Sequence, residues 1–419
     1  MTRTTTAAPP LTVSTRILDD PGAVLRHTLR DSPLAFVRNG DGIVGIGEAL
    51  RFTFSGPERM RDAAAVWRTV VASAVVDDPV QLRGTGLVAF GSFTFADASD
   101  DTSVLIVPRV VIGRRRGKAW LTAIDTTTDP AFLAFTRTSV PVPRVGPHVT
   151  VALGPGAVDE ATYGANVTEA VRRIAAGDAR KVVLARDLVG HLPADADRRA
   201  ILLDLAQAYP QCVTFAVDGL IGATPETLAR TDGTRLTARV LAGSAARGTD
   251  PASDRAAAEA LAASTKDVQE HAYALESLLD ALAPLATDLR ADPEPFRLQL
   301  PNLWHLATDV QATLPLGTTS LDVADVLHPT AAVAGTPTDV AVRLVAELEG
   351  VDRGRYAGPV GWFGANGDGE WMLALRSAQL TDDGIVRAWA GAGIVAGSDP
   401  TREVAETALK FRPITDALA

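Results

Sequence analysis

One cysteine, Cys212, is all that the 419 residues contain. This excludes an intramolecular disulfide framework and any cysteine-built zinc cluster, and it is compatible with a reducing compartment. Long hydrophobic runs are missing too. No apolar stretch reaches the roughly 20 residues needed to cross a bilayer, and the longest candidate, near 66–76, is interrupted by Arg68. The first residues, Met1-Thr-Arg-Thr-Thr-Thr-Ala-Ala-Pro-Pro10, carry no apolar core of signal-peptide length, so the expectation is a cytoplasmic protein with no membrane partner. Positive charge is in deficit: 40 Lys+Arg face 50 Asp+Glu, a net charge of −10. Such a chain is a poor candidate for nucleic acid. An anionic ligand would need local positive groups or a metal ion. There is no Walker A sequence, no internal repeat and no low-complexity tract beyond the N-terminal tail.

What is present reads as globular. Hydrophobic residues make up 47% and charged residues 21%, with a mean hydropathy of +0.12. The length allows one large domain or two to three smaller ones. Strand runs at 34–37 and 43–46 flank Arg38-Asn-Gly-Asp-Gly42, a hairpin turn. The stretches 86–95 and 103–112 are also β-rich. Arg114-Arg-Arg-Gly-Lys118 reads as a solvated hairpin turn between 112 and 119–122. Helices are predicted over 158–176, 196–209 and, as one long element, 251–283. Strands are predicted over 181–187, 213–217, 220–223, 228–230, 235–241, and 371–380 paired with 385–390. Asp399-Pro400 opens a last helix, with Asp as N-cap and Pro at the first helical position. Hairpin strands with interspersed helices indicate a mainly antiparallel α+β architecture. The expected organisation is a flexible tail over 1–12, an N-terminal β-rich part over 13–150 and a catalytic core over 151–419, together one compact domain.

Gly391-Ala-Gly393-Ile-Val-Ala-Gly397 follows a strand and precedes a helix, as a dinucleotide-binding turn does. Its third glycine comes one position late, and too few residues follow for a second strand. These glycines instead let backbone approach a ligand or a neighbour. Asp267 and Glu270 are three apart on one helix face, and Glu403 and Glu406 repeat that spacing. Facing pairs would offer hard oxygens to Mg²⁺; unpaired, they are solvated helix faces. Glu406 and Lys410, at i, i+4, read alone as a surface ion pair. Lys181 opens an apolar strand, as an edge residue or as a buried amine able to act as a base. Glu226, just after a proline, is a turn carboxylate or a positioned acid.

Taken together the motifs resemble the chorismate-utilising enzymes: isochorismate, salicylate, anthranilate and aminodeoxychorismate synthases. The resemblance runs from about 158 to 415. It is carried by Lys181-Val-Val-Leu-Ala-Arg186, Gly222-Ala-Thr-Pro-Glu226, Leu241-Ala-Gly-Ser244, Lys266-Asp-Val-Gln-Glu-His271, Leu303-Trp-His-Leu306, His328-Pro-Thr-Ala-Ala-Val333, Tyr356-Ala-Gly-Pro-Val-Gly-Trp362, Gly367-Asp-Gly-Glu-Trp371, Arg376, Ala390-Gly-Ala-Gly-Ile-Val395 and 403–410. It implies two stacked, mainly antiparallel sheets with helices outside. It implies Lys181 as the water-activating base, which must be neutral to take a proton, and Glu226 as the acid, which needs a raised pKa to donate at neutral pH. Ser244, His305, Ala332, Tyr356, Arg376, Gly391, Gly393 and Lys410 would surround the substrate chorismate. Glu270 and Glu406, with Asp267 and Glu403 directly or through water, would hold Mg²⁺.

Three positions point within the family. Aminodeoxychorismate synthases place a nucleophilic lysine where this chain has Ala242. Anthranilate synthases typically lack the lysine that matches Lys181. Salicylate-forming enzymes carry threonine at the position of Ala332. The resemblance therefore implies a Mg²⁺-dependent isochorismate synthase that stops before pyruvate is lost. Salicylate synthase and a silent chorismate-binding paralogue are the alternatives. The N-terminal third resembles the menaquinone branch more than the siderophore branch. No amidotransferase partner is implied, and a monomer or weak homo-oligomer is expected.

Overall fold

The computed structural model describes residues 10–126 and 142–419. Its strands form two sheets, of 13 and 10 strands, accompanied by eight α-helices among the described residues. Pairing is antiparallel except where Thr12–Leu18 runs parallel to Val75–Asp77. Phe36, Val182, Leu184 and Phe215 of the larger sheet share one hydrophobic core with Phe90, Leu228, Val240 and Trp371 of the smaller. A second core forms on the larger sheet's other face, where Leu202 and Leu205 of helix Arg198–Ala208 and Phe411 and Ile414 of helix Pro400–Ala417 pack. The strand Lys181–His191 is thus covered on both faces, and its first seven residues are all buried. Both sheets combine early and late strands. Leu34–Arg38 pairs with Val213–Val217 in one, and Val88–Ser92 pairs with Pro359–Gly364 in the other.

Local signals explain the helices. Helix Glu160–Ala175 buries Tyr163, Val167, Ala170 and Ile174 along one stripe, and the Asp159 side chain caps it by accepting from Thr162 N. Asp399 caps the last helix as expected, accepting from Arg402 N.

Three sequence expectations need correction. Leu11 is buried and strand Thr12–Leu18 begins one residue later, so the predicted tail cannot reach residue 12; its residues 1–9 lie outside the described residues. The β-rich 103–112 stretch is strand as expected, in two pieces, Ser103–Val107 and Val110–Arg115, separated at Pro108, which has no amide hydrogen for a sheet ladder. The long 251–283 helix is two. Ser264 is extended (φ −72°, ψ 112°), ends helix Pro251–Ala263 and caps helix Thr265–Leu282 by accepting from Asp267 N. The 371–380 strand is also two: Gly369–Leu373 belongs to the smaller sheet and Ser377–Leu380 to the larger.

That last break matters for function. The chain passes from the larger sheet to the smaller between strands Leu220–Thr224 and Thr227–Asp232, at Pro225 and Glu226. It passes back at 374–376, where Arg376 takes a positive φ of 53°. The two crossings lie side by side. Ala223 N donates to Arg376 O, and Leu373 N donates to Glu226 O.

Candidate active site

At these crossings opens a cavity of ≈ 670 Å³. Ten of the fourteen residues singled out from the sequence line it: Glu226, Ser244, Glu270, His305, Ala332, Tyr356, Arg376, Gly391, Gly393 and Lys410. Lys181, Asp267, Glu403 and Glu406 are not in its wall. Lys181, Asp267 and Glu406 each touch or electrostatically sense a residue that is, and Glu403 senses Glu406.

Lys181 is fully buried at the start of its strand, and its Nζ lies 3.2 Å from Glu270 Oε1 without making a hydrogen bond. Gly393, on the paired strand Ile385–Ile394, leaves the room that this needs. A Cβ there would overlap Glu270 Oε1 and come within 2.8 Å of Lys181 Cε. Gly391 is constrained by backbone: a Cβ there would sit 2.6 Å from Leu184 O. The first part of the glycine-rich run, Gly391–Ile394, is therefore the end of an antiparallel strand, and Gly397 follows it.

Glu226 is buried, and loss of solvent pushes its carboxyl up to about 8, against the pull of a hydrogen bond from the Leu241 backbone and of Lys181, Lys410 and Arg376. It is thus mainly protonated at neutral pH and can donate a hydrogen bond or a proton.

On the smaller sheet, strand Arg235–Ala246 bulges between Ala242 and Ser244, and Gly243 adopts φ 80° with its Cβ position 3.0 Å from Asp267 Cβ. The irregularity presents Ser244 to His305, with Oγ 3.1 Å from Nδ1. His305 Nε2 accepts from the Arg376 guanidinium at 2.9 Å. Arginine can only donate, so Nε2 carries no proton and the ring is neutral with its hydrogen on Nδ1. Burial and the adjacent Arg376 both hold the imidazole far below its ordinary value. Tyr356 stacks on Trp389 with centroids 5.8 Å apart, and burial raises its phenol to about 12. A neutral tyrosine, a neutral histidine and Arg376 therefore share one wall.

The acidic pairs are held by lysines. Glu403 is fully buried, with Oε1 2.6 Å from Lys266 Nζ and Oε2 without a hydrogen-bond partner. Burial and then Glu406 push its carboxyl up. Burial opposes charge on Glu406 as well, but Lys410 at 2.6 Å outweighs it and the net direction is down. Lys410 also donates to Gly391 O at 2.9 Å, so this pair is more than a surface contact. Asp267 accepts from the Ser264 hydroxyl; burial raises its carboxyl, and Glu270 and Glu406 add to the rise. Four carboxylates from two helices thus sense one another. Among the described residues no three His, Cys, Asp or Glu side chains are gathered as a ready-made metal cage.

Sequence reasoning missed three wall residues, Leu375, Trp389 and Arg353. Trp389 gives the aromatic face under Tyr356. Arg353 pairs with Glu349 and donates to Val183 O at 2.7 Å and Val333 O at 3.0 Å, tying together two segments of the wall. The i, i+4 spacing of Glu349 and Arg353 was a usable signal; nothing local marked Trp389.

The family model described as "Chorismate binding enzyme" matches residues 20–419. A presumed isochorismate synthase, MenF, of Mycobacterium tuberculosis strain H37Rv is 38% identical over 382 residues, 88% of this chain and 95% of that protein. A salicylate biosynthesis isochorismate synthase of Pseudomonas aeruginosa is 31% identical over 397 residues, 89% of this chain and 82% of that protein. Among solved structures, MenF, the menaquinone-specific isochorismate synthase of Escherichia coli, superposes with a TM-score of 0.79 at 26% identity, covering 99% of this chain and 96% of that one.

Proposed function

Because the chain belongs to the chorismate-binding enzyme family, we propose that it is an isochorismate synthase, an isomerase that adds water at C2 of chorismate as the C4 hydroxyl departs. The observation that carries this reading is Glu226: a buried acid, protonated at neutral pH, in the wall of a cavity rich in positive groups. Hydroxide is a poor leaving group, and proton donation from Glu226 lets the hydroxyl depart as water. The carboxylate left behind is stabilised by Lys181, Lys410 and Arg376.

Lys181 is the base. It is fully buried behind Gly393, and its lack of a hydrogen bond leaves Nζ available for the water proton. The amine must be neutral when it accepts that proton. Arg376 and Tyr356 hold the enolpyruvyl carboxylate, Arg376 with the guanidinium nitrogens that His305 leaves unused. His305, fixed as the neutral Nδ1–H form, orients the enolpyruvyl group without adding charge. Ser244, Lys410 and the Gly391–Gly393 backbone complete the substrate contacts. Ala242 offers no amine for a covalent ring intermediate. Ala332 in the cavity wall, where salicylate-forming relatives have threonine, supports stopping at isochorismate.

Mg²⁺ is part of this reading. Mg²⁺ keeps several waters and takes substrate oxygens, so it needs only one or two protein carboxylates rather than a full cage. The unpartnered Oε2 of Glu403 and the mutual repulsion of Asp267, Glu270 and Glu406 fit such an ion. Glu270 and Glu406 would hold it, with Asp267 and Glu403 directly or through water. When bound it supplies positive charge to the ring carboxylate.

A cytoplasmic location accords with the buried Cys212, whose thiol is pushed up to about 11 by burial and stays inert. Among the described residues no helix is long and apolar enough to cross a membrane. The product serves the menaquinone branch in this reading, and the protein works as a monomer or weak homo-oligomer. The test is product analysis of the full chain with chorismate, with and without Mg²⁺, by chromatography and mass. Isochorismate without pyruvate, only with Mg²⁺, is expected; salicylate with pyruvate, or no turnover, overturns the reading.

A further inference from the structure

The hairpin Arg114-Arg-Arg-Gly-Lys118 reads from sequence as a solvated turn. In the fold its three arginines line a second cavity, of ≈ 710 Å³, together with Arg38, Arg83 and Arg230. This cavity shares no lining residue with the one that holds Glu226. Its carboxylates are Asp41 and Glu370, and Asp20, outside the lining, lies 3.7 Å from Arg114, so six guanidinium groups against three carboxylates leave three positive charges in excess, in a chain whose net charge is −10.

The two lining carboxylates are already committed. Glu370 lies 3.1 Å from Arg38 and 3.9 Å from Arg83. Asp41 accepts from Arg116 N at 2.9 Å and sits 3.7 Å from Arg114. Among the described residues no carboxylate lies within 4 Å of the Arg115 or Arg230 guanidinium, and Arg38 Nε is buried with no hydrogen-bond partner. Asp232 and Asp368 act only at longer range. Arg83 is nearly solvent-free. It is pinned by donation to Thr231 O and to Gly369 O at 2.6 Å, and it stacks over Trp362 at 4.9 Å. Burial lowers Arg83 to about 10, and Arg230 and Arg115 push the same way; Arg115 is lowered by burial and then by Arg230 and Arg116. The protein's own acids thus relieve the repulsion among the arginines only in part. Guanidinium forks match phosphate and carboxylate oxygens in pairs.

We propose that this cavity is a second binding site, for a small polyanion carrying two or more phosphate or carboxylate groups. Arg115 and Arg230 supply the free forks, and the pinned Arg83 gives the site a fixed floor. The inference does not rest on the proposed reaction.

The test is calorimetric titration of the full chain with pyrophosphate and, separately, citrate, at constant ionic strength so that general screening does not change. One ion bound per chain is expected for at least one of them, and the one preferred tells phosphate from carboxylate. Affinity should fall roughly tenfold or more in Arg115→Ala/Arg230→Ala, as expected for losing charge-assisted hydrogen bonds. It should be unchanged in Arg376→Ala. The single variant Arg115→Gln, with its melting temperature, carries the test if the double variant does not fold. Binding of neither ion, equal binding by the native chain and the arginine variants, or loss of binding in Arg376→Ala would overturn the proposal; the last would put the ion in the chorismate cavity.

Discussion

Replacing Glu226 by glutamine keeps the shape of the side chain and removes its proton chemistry. Burial raises this carboxyl from 4.5 to about 8. At 1.36 kcal/mol per pH unit, ionising it inside the fold costs about 5 kcal/mol more than in the unfolded chain. The sign follows from proton counting. Between pH 4.5 and 8 the native state holds this proton and the unfolded state does not, so stability falls as pH rises through that window and levels off above it. Glu226→Gln has no such group. Its melting temperature should therefore decline less than the native chain's between pH 5 and about 9, measured by thermal denaturation at matched ionic strength. Activity should follow the same group. The native chain loses roughly tenfold in kcat/KM per pH unit once Glu226 is deprotonated, and the glutamine variant is down about 10²–10⁴-fold with that limb absent. Parallel melting curves for the two proteins, or near-native turnover by Glu226→Gln, would refute the assignment of a buried neutral acid.

Lys181→Ala should lower turnover at least about a hundredfold with the fold retained by circular dichroism; near-normal turnover would mean that another group activates water. Gly393→Ala drives a methyl group into Glu270 and Lys181, so kcat should drop with a stability loss of about 1–3 kcal/mol, and an unaltered kcat would show that the crowding is relieved elsewhere. Chelation should abolish activity and added Mg²⁺ restore it; activity indifferent to EDTA would remove Glu270 and Glu406 from the role of metal ligands. Ala332→Thr should begin to release pyruvate, read by a coupled dehydrogenase assay, and its absence would leave Ala332 with no part in where the reaction stops.

Much of this architecture is legible locally. The Asn39-Gly40 and Asp218-Gly219 turns mark their hairpins because those residues tolerate positive φ. Asp159 and Asp399 mark helix starts because a carboxylate can accept an orphan amide. What is not legible is which sheet a strand joins. Strand Lys181–His191 pairs with Ile385–Ile394 about two hundred residues away, and only the folded chain shows that pairing. The apolar run through Trp371 and Leu380 hides a change of sheet for the same reason. The break in the 251–283 helix was within reach, since Ser264-Thr-Lys-Asp267 is a capping pattern that the continuous apolar periodicity masked. At the site, residue types were visible through family resemblance. Their states were not: the raised carboxyl of Glu226 and the proton position on His305 arise from burial and from Arg376, both products of tertiary packing. The acid pairs looked like solvated faces because the lysines beside Glu403 and Glu270 lie more than eighty residues away in sequence.

The central claim is that Lys181 and Glu226 direct solvent water to C2 while the original C4 hydroxyl leaves. Turnover of chorismate in ¹⁸O-enriched water, followed by mass analysis of the isochorismate formed, tests it directly. One ¹⁸O atom per product, absent from recovered unreacted substrate at early times, is the predicted result. Unlabelled isochorismate would mean that the hydroxyl moves within the substrate and would contradict the account.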